Sequence, residues 1–425
     1  MSDFWTCKPS AKALRTVNPI RAIVDKVVGG PVVERTDGKE RIPLSLGDPT
    51  AFGNLPPSQI LTEAAAAAAH SNKFNGYVNA CGTPSARAAI AKHYSTEHVK
   101  FTSDDVVIAS GCSGALELAL TALLDDGTNL LVPAPGFPLY EVIANSHGAG
   151  VKPYRLDPAT GWECDLENME SQIDENTRGI LINNPSNPCG SVFSEGHLED
   201  IIRLAAKHKL PIVADEVYGG MTFGDVQCVP LSTVSAKLGG IAPIISASGL
   251  AKQFLVPGWR VGWLTFYDTP FGAIKDVKKG VMSLAQVVLG ASHLVQATVE
   301  KVLDPEKEED IKAMADFKTQ LNETLASQST FTCDYLSSCH GLRVVRSSGA
   351  MYVMVEVVPS LFDGSFTDDV TFTKLLLDEE NVFALPGSCF GAPNFFRVVY
   401  CAPKEKLGEA YGRIKDFCER HKKMD

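Results

Sequence analysis

Lys252 stands in the segment Ser248-Gly-Leu-Ala-Lys252-Gln-Phe-Leu-Val-Pro-Gly-Trp-Arg260, between apolar runs and eight residues before an arginine. A solvated lysine and a structural arginine would satisfy the same spacing. The alternative is chemical: a desolvated amine can form a Schiff base with a carbonyl group, and a guanidinium can clamp a phosphate. Asp215 closes the run Pro211-Ile-Val-Ala214, Tyr218 follows three residues on, and Asn187 lies in the turn after the preceding apolar run. A carboxylate so placed can pair with a protonated pyridine nitrogen, and an amide and a phenol can stabilise the anion of a ring hydroxyl. Each also has an ordinary use, as helix N-cap, turn residue and core phenol respectively.

Two further segments bear on the same chemistry. Ser110-Gly-Cys-Ser-Gly-Ala115 joins an apolar run to a helical stretch, so Cys112 and Ser113 sit where small residues and free N–H groups receive an anion. The segment is no serine-hydrolase elbow, because Ala115 stands where the second glycine would be needed. Arg397 lies within Phe395-Phe-Arg-Val-Val-Tyr400, and an arginine in so apolar a run calls for an anion or a structural ion pair. Phe137 follows another apolar run and can stack on a heteroaromatic ring or pack in the core.

The elements that must position these residues alternate. Val106–Ala109, Leu130–Val132, Gly179–Ile182, Pro211–Ala214 and Pro243–Ser246 read as short strands, with helices over Ala115–Leu124 and Ser194–Lys209. Strand, loop and helix in repetition predict an α/β fold with a parallel sheet covered on both faces. Polar residues and glycines follow each strand, so five strand ends point at one crevice. From Asp304 the pattern changes to a charged linker, a long helix reaching Ser327, and strands at Gly349–Val355 and Phe395–Val399. Residues 306–425 therefore read as a second, smaller α+β unit.

The 425 residues carry 39 Lys+Arg against 50 Asp+Glu, a net charge of −11, which argues against binding nucleic acid. Eleven scattered cysteines without a C-x-x-C pair read as free thiols in a reducing compartment, with no metal site expected. The segment Met1–Cys7 lacks the order of a signal peptide. The longest apolar stretch, Val281–Val299, is interrupted by Ser283, Gln286, Ser292, His293 and Gln296, and reads as a largely buried helix rather than a membrane span. A cytoplasmic location follows as the expectation.

In this order the residues resemble the fold-type I aminotransferases that use pyridoxal 5′-phosphate, and within them the enzymes that take tyrosine. The resemblance is carried by Asn18-Pro-Ile-Arg21, Leu46-Gly-Asp-Pro49, Asn75-Gly-Tyr77, Val132-Pro-Ala-Pro-Gly-Phe-Pro138, Asn184-Pro-Ser-Asn-Pro-Cys-Gly190, Asp215-Glu-Val-Tyr218, Gly249-Leu-Ala-Lys252, Val256-Pro-Gly-Trp-Arg260 and Gly349-Ala-Met-Tyr352. It implies a large domain over 61–305 with a mostly parallel seven-stranded sheet, a small domain over 306–425, and an N-terminal arm over 1–60 that joins the small domain in part. It implies Lys252 as the Schiff-base lysine, Asp215 on the pyridine nitrogen, Asn187 and Tyr218 on the ring oxygen, and Phe137 stacked on the ring. Cys112, Ser113, Ser248 and Arg260 fall in the phosphate cradle, and Tyr77 reaches the phosphate of the neighbouring subunit of a homodimer. Arg397 takes the substrate α-carboxylate, helped by Gly47 and Asn18.

The implied reaction is a ping-pong transfer of the amino group of tyrosine or phenylalanine to 2-oxoglutarate, pyruvate or another 2-oxo acid. An alanine-preferring or broad enzyme, or a carbon–sulfur lyase, would share the cofactor residues. One departure stands out: relatives place a serine or threonine where Gly249 is, which leaves Ser246 or Ser248 to serve the phosphate. No second basic residue for a distal carboxylate is identifiable.

Overall fold

The computed structural model describes residues 7–28 and 37–424. Residues 1–6, most of the segment read for a signal pattern, lie outside that range. The N-terminal part contributes the short strand β1 (Ile42–Pro43). The middle supplies β2 (Val106–Ser110), β3 (Asn129–Ala134), β4 (Gly150–Asp157), β5 (Glu163–Cys164), β6 (Thr177–Asn183), β7 (Ile212–Asp215), β8 (Ile244–Gly249) and β9 (Val261–Tyr267). These form one sheet in the order β2-β9-β8-β7-β6-β3-β4-β5.

From β8 to β4 the neighbours are parallel, whereas β9 runs antiparallel to both β2 and β8. The expected count of seven strands becomes eight because the two-residue β5 turns back on β4 as an antiparallel edge. Its hairpin turns through Gly161 and Trp162, both at positive φ, and only two residues pair beyond it, too few to read as a strand from composition. The reversal of β9 has a consequence for the site. It brings the start of β9, just after Arg260, to the edge where β2 and β8 end, with Ser110 opposite Val261 and Gly249 opposite Gly262.

Burial explains why the strands read as unbroken apolar runs. All of β7 and β8 is buried, as expected for strands covered on both faces. The covering helices start on local signals: Ser194 Oγ accepts the His197 N–H at 3.2 Å, opening the helix Glu195–Lys207. The alanine run forms the middle of the helix Gln59–Ser71. The stretch Val281–Val299 departs from expectation. It is two helices, Lys275–Val288 and His293–Leu303, separated at Leu289 and Gly290, both at positive φ, and Val287 and Val288 are 80% and 69% exposed. Among the described residues no helix is long and apolar enough to cross a membrane.

The last part of the chain begins with the helix Glu308–Ser337, ten residues longer than expected. It then gives β10 (Leu342–Val344), β11 (Tyr352–Val357), β12 (Val382–Phe383), β13 (Leu385–Pro386) and β14 (Phe395–Val399). A second, antiparallel sheet has the order β10-β11-β14-β13, with Met354 opposite Arg397. The N-terminal β1 pairs in parallel with β12 as a separate two-stranded sheet, fastening residues 42–43 to this part of the chain.

A buried carboxylate holds the loop between β13 and β14. Asp369 accepts the Ser388 N–H at 2.7 Å, the Ser388 hydroxyl at 2.9 Å and the Asn394 N–H at 3.0 Å. Replacing it strands two backbone donors. Asp369→Ala is therefore expected to lower stability by about 2–4 kcal/mol, read as a lower urea midpoint; an unchanged midpoint would refute the assignment.

Candidate active site

The carboxyl edge of the large sheet opens onto a cavity of 360 Å³. Lys252, Asp215, Tyr218, Asn187, Phe137, Cys112, Ser113, Arg260, Arg397 and Gly47 all line it. They arrive on segments far apart in the chain, so strand ends, rather than sequence proximity, assemble the site.

Asp215 ends β7 and is 4% exposed. Its carboxylate accepts the Tyr140 hydroxyl at 2.8 Å and the Val217 N–H at 3.3 Å, with the Cys112 thiol at 3.5 Å. Burial nevertheless dominates and pushes its pKa up. Tyr140 lies one helical turn beyond Phe137, whose ring meets it edge-on at 5.8 Å. Tyr140 was absent from the sequence reading; its place three residues after Phe137 on a helix was the available signal.

Arg260 adopts a left-handed conformation with φ +55°, unfavourable for a side-chain-bearing residue by about 1 kcal/mol. Its guanidinium donates to the Pro257 and Ser110 carbonyls at 3.0 and 3.3 Å, beside the start of the helix Gly111–Leu123. A Cβ on Gly111 would lie 2.5 Å from that guanidinium, so only glycine lets the two meet. Free N–H groups of the helix start and a fixed cation together make an anion receptor.

Arg397 is 3% exposed, and no carboxylate among the described residues pairs with it. Its two Nη atoms donate to Asn187 Oδ1 at 2.8 Å and to the Ser45 carbonyl at 2.7 Å, while Nε is buried without a partner. The guanidinium lies between the rings of Tyr352 and Phe390, 4.6 Å from each centroid. The structural ion pair considered from sequence is thus absent among the described residues. Lys252 donates to the Gly47 carbonyl.

Three expected residues fall elsewhere. Asn18 accepts the Ile20 N–H at 3.0 Å at the start of its own helix, and Ile20 reaches the cavity in its place. Ser248 is buried outside the cavity, near the Glu216 carbonyl and Gln253. Ala247, its neighbour on β8, pairs with Asp215, so Ser248 faces the other side of the sheet. Tyr77 is 93% exposed and lies outside the cavity of its own chain. Sequence reasoning also missed Ser45, Leu46, Leu139 and Leu385 on the cavity wall, which carry no chemical signature of their own.

What the sheet edge gathers is the arrangement of a transaminase, and the chain belongs to the class I and II aminotransferase family, whose model matches residues 39–414. Its architecture is fold-type I, and enzymes of this family depend on pyridoxal 5′-phosphate. The tyrosine aminotransferase of Dictyostelium discoideum is 45% identical over 420 residues, covering 99% of this chain and 98% of that protein. The tyrosine aminotransferase of Homo sapiens is 42% identical, covering 98% of this chain and 88% of that one. The crystal structure of the tyrosine aminotransferase from Leishmania infantum matches with a TM-score of 0.88 at 33% identity, over 99% of this chain and 100% of that one.

Glu216, behind Asp215, is buried and accepts the Leu231 N–H at 2.8 Å, and burial raises its pKa from 4.5 to about 7. An acid whose folded pKa exceeds its unfolded one loses stabilisation as pH rises from the unfolded value through the folded one. The protein is thus expected to lose about 3 kcal/mol between pH 4.5 and 7 from this group. Glu216→Gln keeps an acceptor for Leu231 and removes the titration. Its thermal midpoint should fall less than that of the wild type between pH 5 and 8, and equal falls would count against the argument.

Proposed function

We propose that the protein moves the amino group of tyrosine or phenylalanine to a 2-oxo acid such as 2-oxoglutarate or pyruvate, in two half-reactions of ping-pong order. The convergence of Lys252, Asp215 and Arg397 from three separate segments on one cavity carries this reading. Its wall of Ile20, Leu46, Leu139 and Leu385 suits an aromatic side chain better than a charged one.

Pyridoxal 5′-phosphate fits these residues on their own terms. Burial raises the pKa of Asp215, and a cationic ring nitrogen is the partner that would favour its charged form. Arg260, Cys112 and Ser113 at the helix start suit the phosphate, Phe137 the ring face, and Asn187 with Tyr218 the ring oxygen. When bound, the cofactor draws off the electron pair left as the substrate's Cα–H bond breaks.

The chain's own residues do the rest. Lys252 Nζ is the amine that holds the cofactor and, once displaced by substrate, the base that takes the α-proton. Tyr140 fixes the Asp215 carboxylate through its hydroxyl. Arg397 grips the α-carboxylate, with Asn187 and the Ser45 carbonyl setting the plane of its guanidinium. Gly47 gives the backbone wall beside Lys252. Asn18 and Ser248 act at one remove, Asn18 by fixing the helix that carries Ile20 and Ser248 by bonding Gln253 beside Lys252.

The working unit in this reading is a homodimer in a cytoplasmic compartment. Exposed Tyr77 and the bare Val287 and Val288 support a second copy, and the free state of all eleven cysteines supports a reducing location. Residues 61–305 form the cofactor-binding domain and 306–425 the small domain, with 1–60 joining the latter through β1.

Lys252→Ala is expected to abolish turnover and the absorbance change on adding tyrosine; a near-native rate would overturn the assignment. In single turnovers with the wild type, tyrosine and phenylalanine should convert the bound cofactor at least about tenfold faster than alanine or aspartate. Equal rates across the panel would remove the aromatic preference.

A further inference from the structure

Tyr352 lies where the two halves of the site meet. It opens β11, diagonal to Arg397 on the facing strand β14, and both side chains reach the cavity. Its ring lies against the Arg397 guanidinium at 4.6 Å, and its hydroxyl is 2.8 Å from that of Tyr218. Its ring also meets that of Tyr218 edge-on, with centroids 5.6 Å apart. The same hydroxyl abuts Gly47 so closely that a Cβ there would lie 2.8 Å from it. Gly47 in turn accepts the bond from Lys252.

We propose that Tyr352 is a positioning residue that ties the carboxylate-binding arginine to the phenol of Tyr218, so that filling one site is felt at the other. The inference rests on the cofactor and substrate roles given above for Tyr218 and Arg397. Tyr218 lines the cavity, and either hydroxyl of the pair can donate to the other; with the Tyr218 proton given to an anionic ring oxygen, its lone pair receives the proton of Tyr352. A donor that is itself a hydrogen-bond acceptor donates more strongly. A carboxylate on Arg397 draws charge from the guanidinium that the Tyr352 ring faces, and so adjusts that bond. The ionisable groups around the pair are Asp215 on β7, Arg397 on β14 and Lys252 after β8.

Tyr352→Phe separates the two contacts, since it keeps the ring on Arg397 and removes the hydroxyl. In the holoenzyme the weaker Tyr218 donor leaves more charge on the ring oxygen, which holds the neighbouring proton more tightly. The midpoint of the bound chromophore's absorbance titration should then rise by about half a pH unit. The shift that 3-phenylpropionate, an unreactive monocarboxylate, produces in the wild-type midpoint should shrink at least about twofold in the variant. Affinity for 3-phenylpropionate should stay within about threefold for Tyr352→Phe and weaken about tenfold for Tyr352→Leu, which loses the ring as well. A Tyr352→Phe enzyme that titrates and responds to 3-phenylpropionate as the wild type does would overturn the proposal. A wild-type protein that gains no absorbance band with pyridoxal 5′-phosphate would instead overturn the cofactor reading beneath it.

Discussion

The site rests on a cation held out of water without an anion of its own. Arg397 is buried, its charge spread over two aromatic faces, one amide oxygen and one backbone carbonyl, with Nε left over. Burying a charge without a counter-charge costs several kcal/mol even when hydrogen bonds soften the loss. The surrounding structure must supply that free energy, and it does so by fixing every partner. Asn187 comes from the loop after β6, Ser45 from the strip after β1, Tyr352 from β11 and Phe390 from the loop that Asp369 staples. Among the described residues nothing neutralises the guanidinium, which is what the carboxylate-binding role proposed for it requires.

Asp215 poses the opposite problem at the other wall of the cavity. Three donors converge on its carboxylate, yet burial still outweighs them and raises its pKa. Both charges are incompletely satisfied by the fold alone. This is stored free energy of the kind that differential binding can draw on, since a ligand with a carboxylate at one end and a cationic ring near the other relieves both. The parallel core of the sheet makes this affordable: β7 and β8 are buried on both faces and hold the strand ends rigidly.

The alternation of apolar runs with helices made the sheet legible, and the polar residue after each run made the edge legible. Lys252, Asp215, Arg260 and Arg397 could be singled out as charges beside apolar runs, and Asn187 and Tyr218 through the motifs in which they stand. Tyr140 and Tyr352 were hidden because a tyrosine among apolar residues is ordinary; only the partner across space gives its hydroxyl a meaning. The reversal of β9 was hidden too, since an antiparallel strand buried on both faces has the same apolar composition as its parallel neighbours. Ser248 and Asn18 show the converse. Motif spacing led toward the cavity, whereas strand alternation turned Ser248 aside and a local cap held Asn18 at its helix start.

The charge of the cavity runs against that of the molecule. The chain as a whole carries −11, yet Lys252, Arg260 and Arg397 face the cavity against only Asp48 and Asp215. Burial raises the pKa of Asp215 while its hydrogen bonds and Lys252 act the other way. Apolar walls keep water from screening these charges, and field lines concentrate in such a cleft. An acidic exterior repels polyanions in general, while a crevice of this charge suits the small anions proposed above for it, a phosphate at Arg260 and a carboxylate at Arg397. Selection by size and selection by charge therefore act together, and the second depends on keeping the arginines free of internal acids.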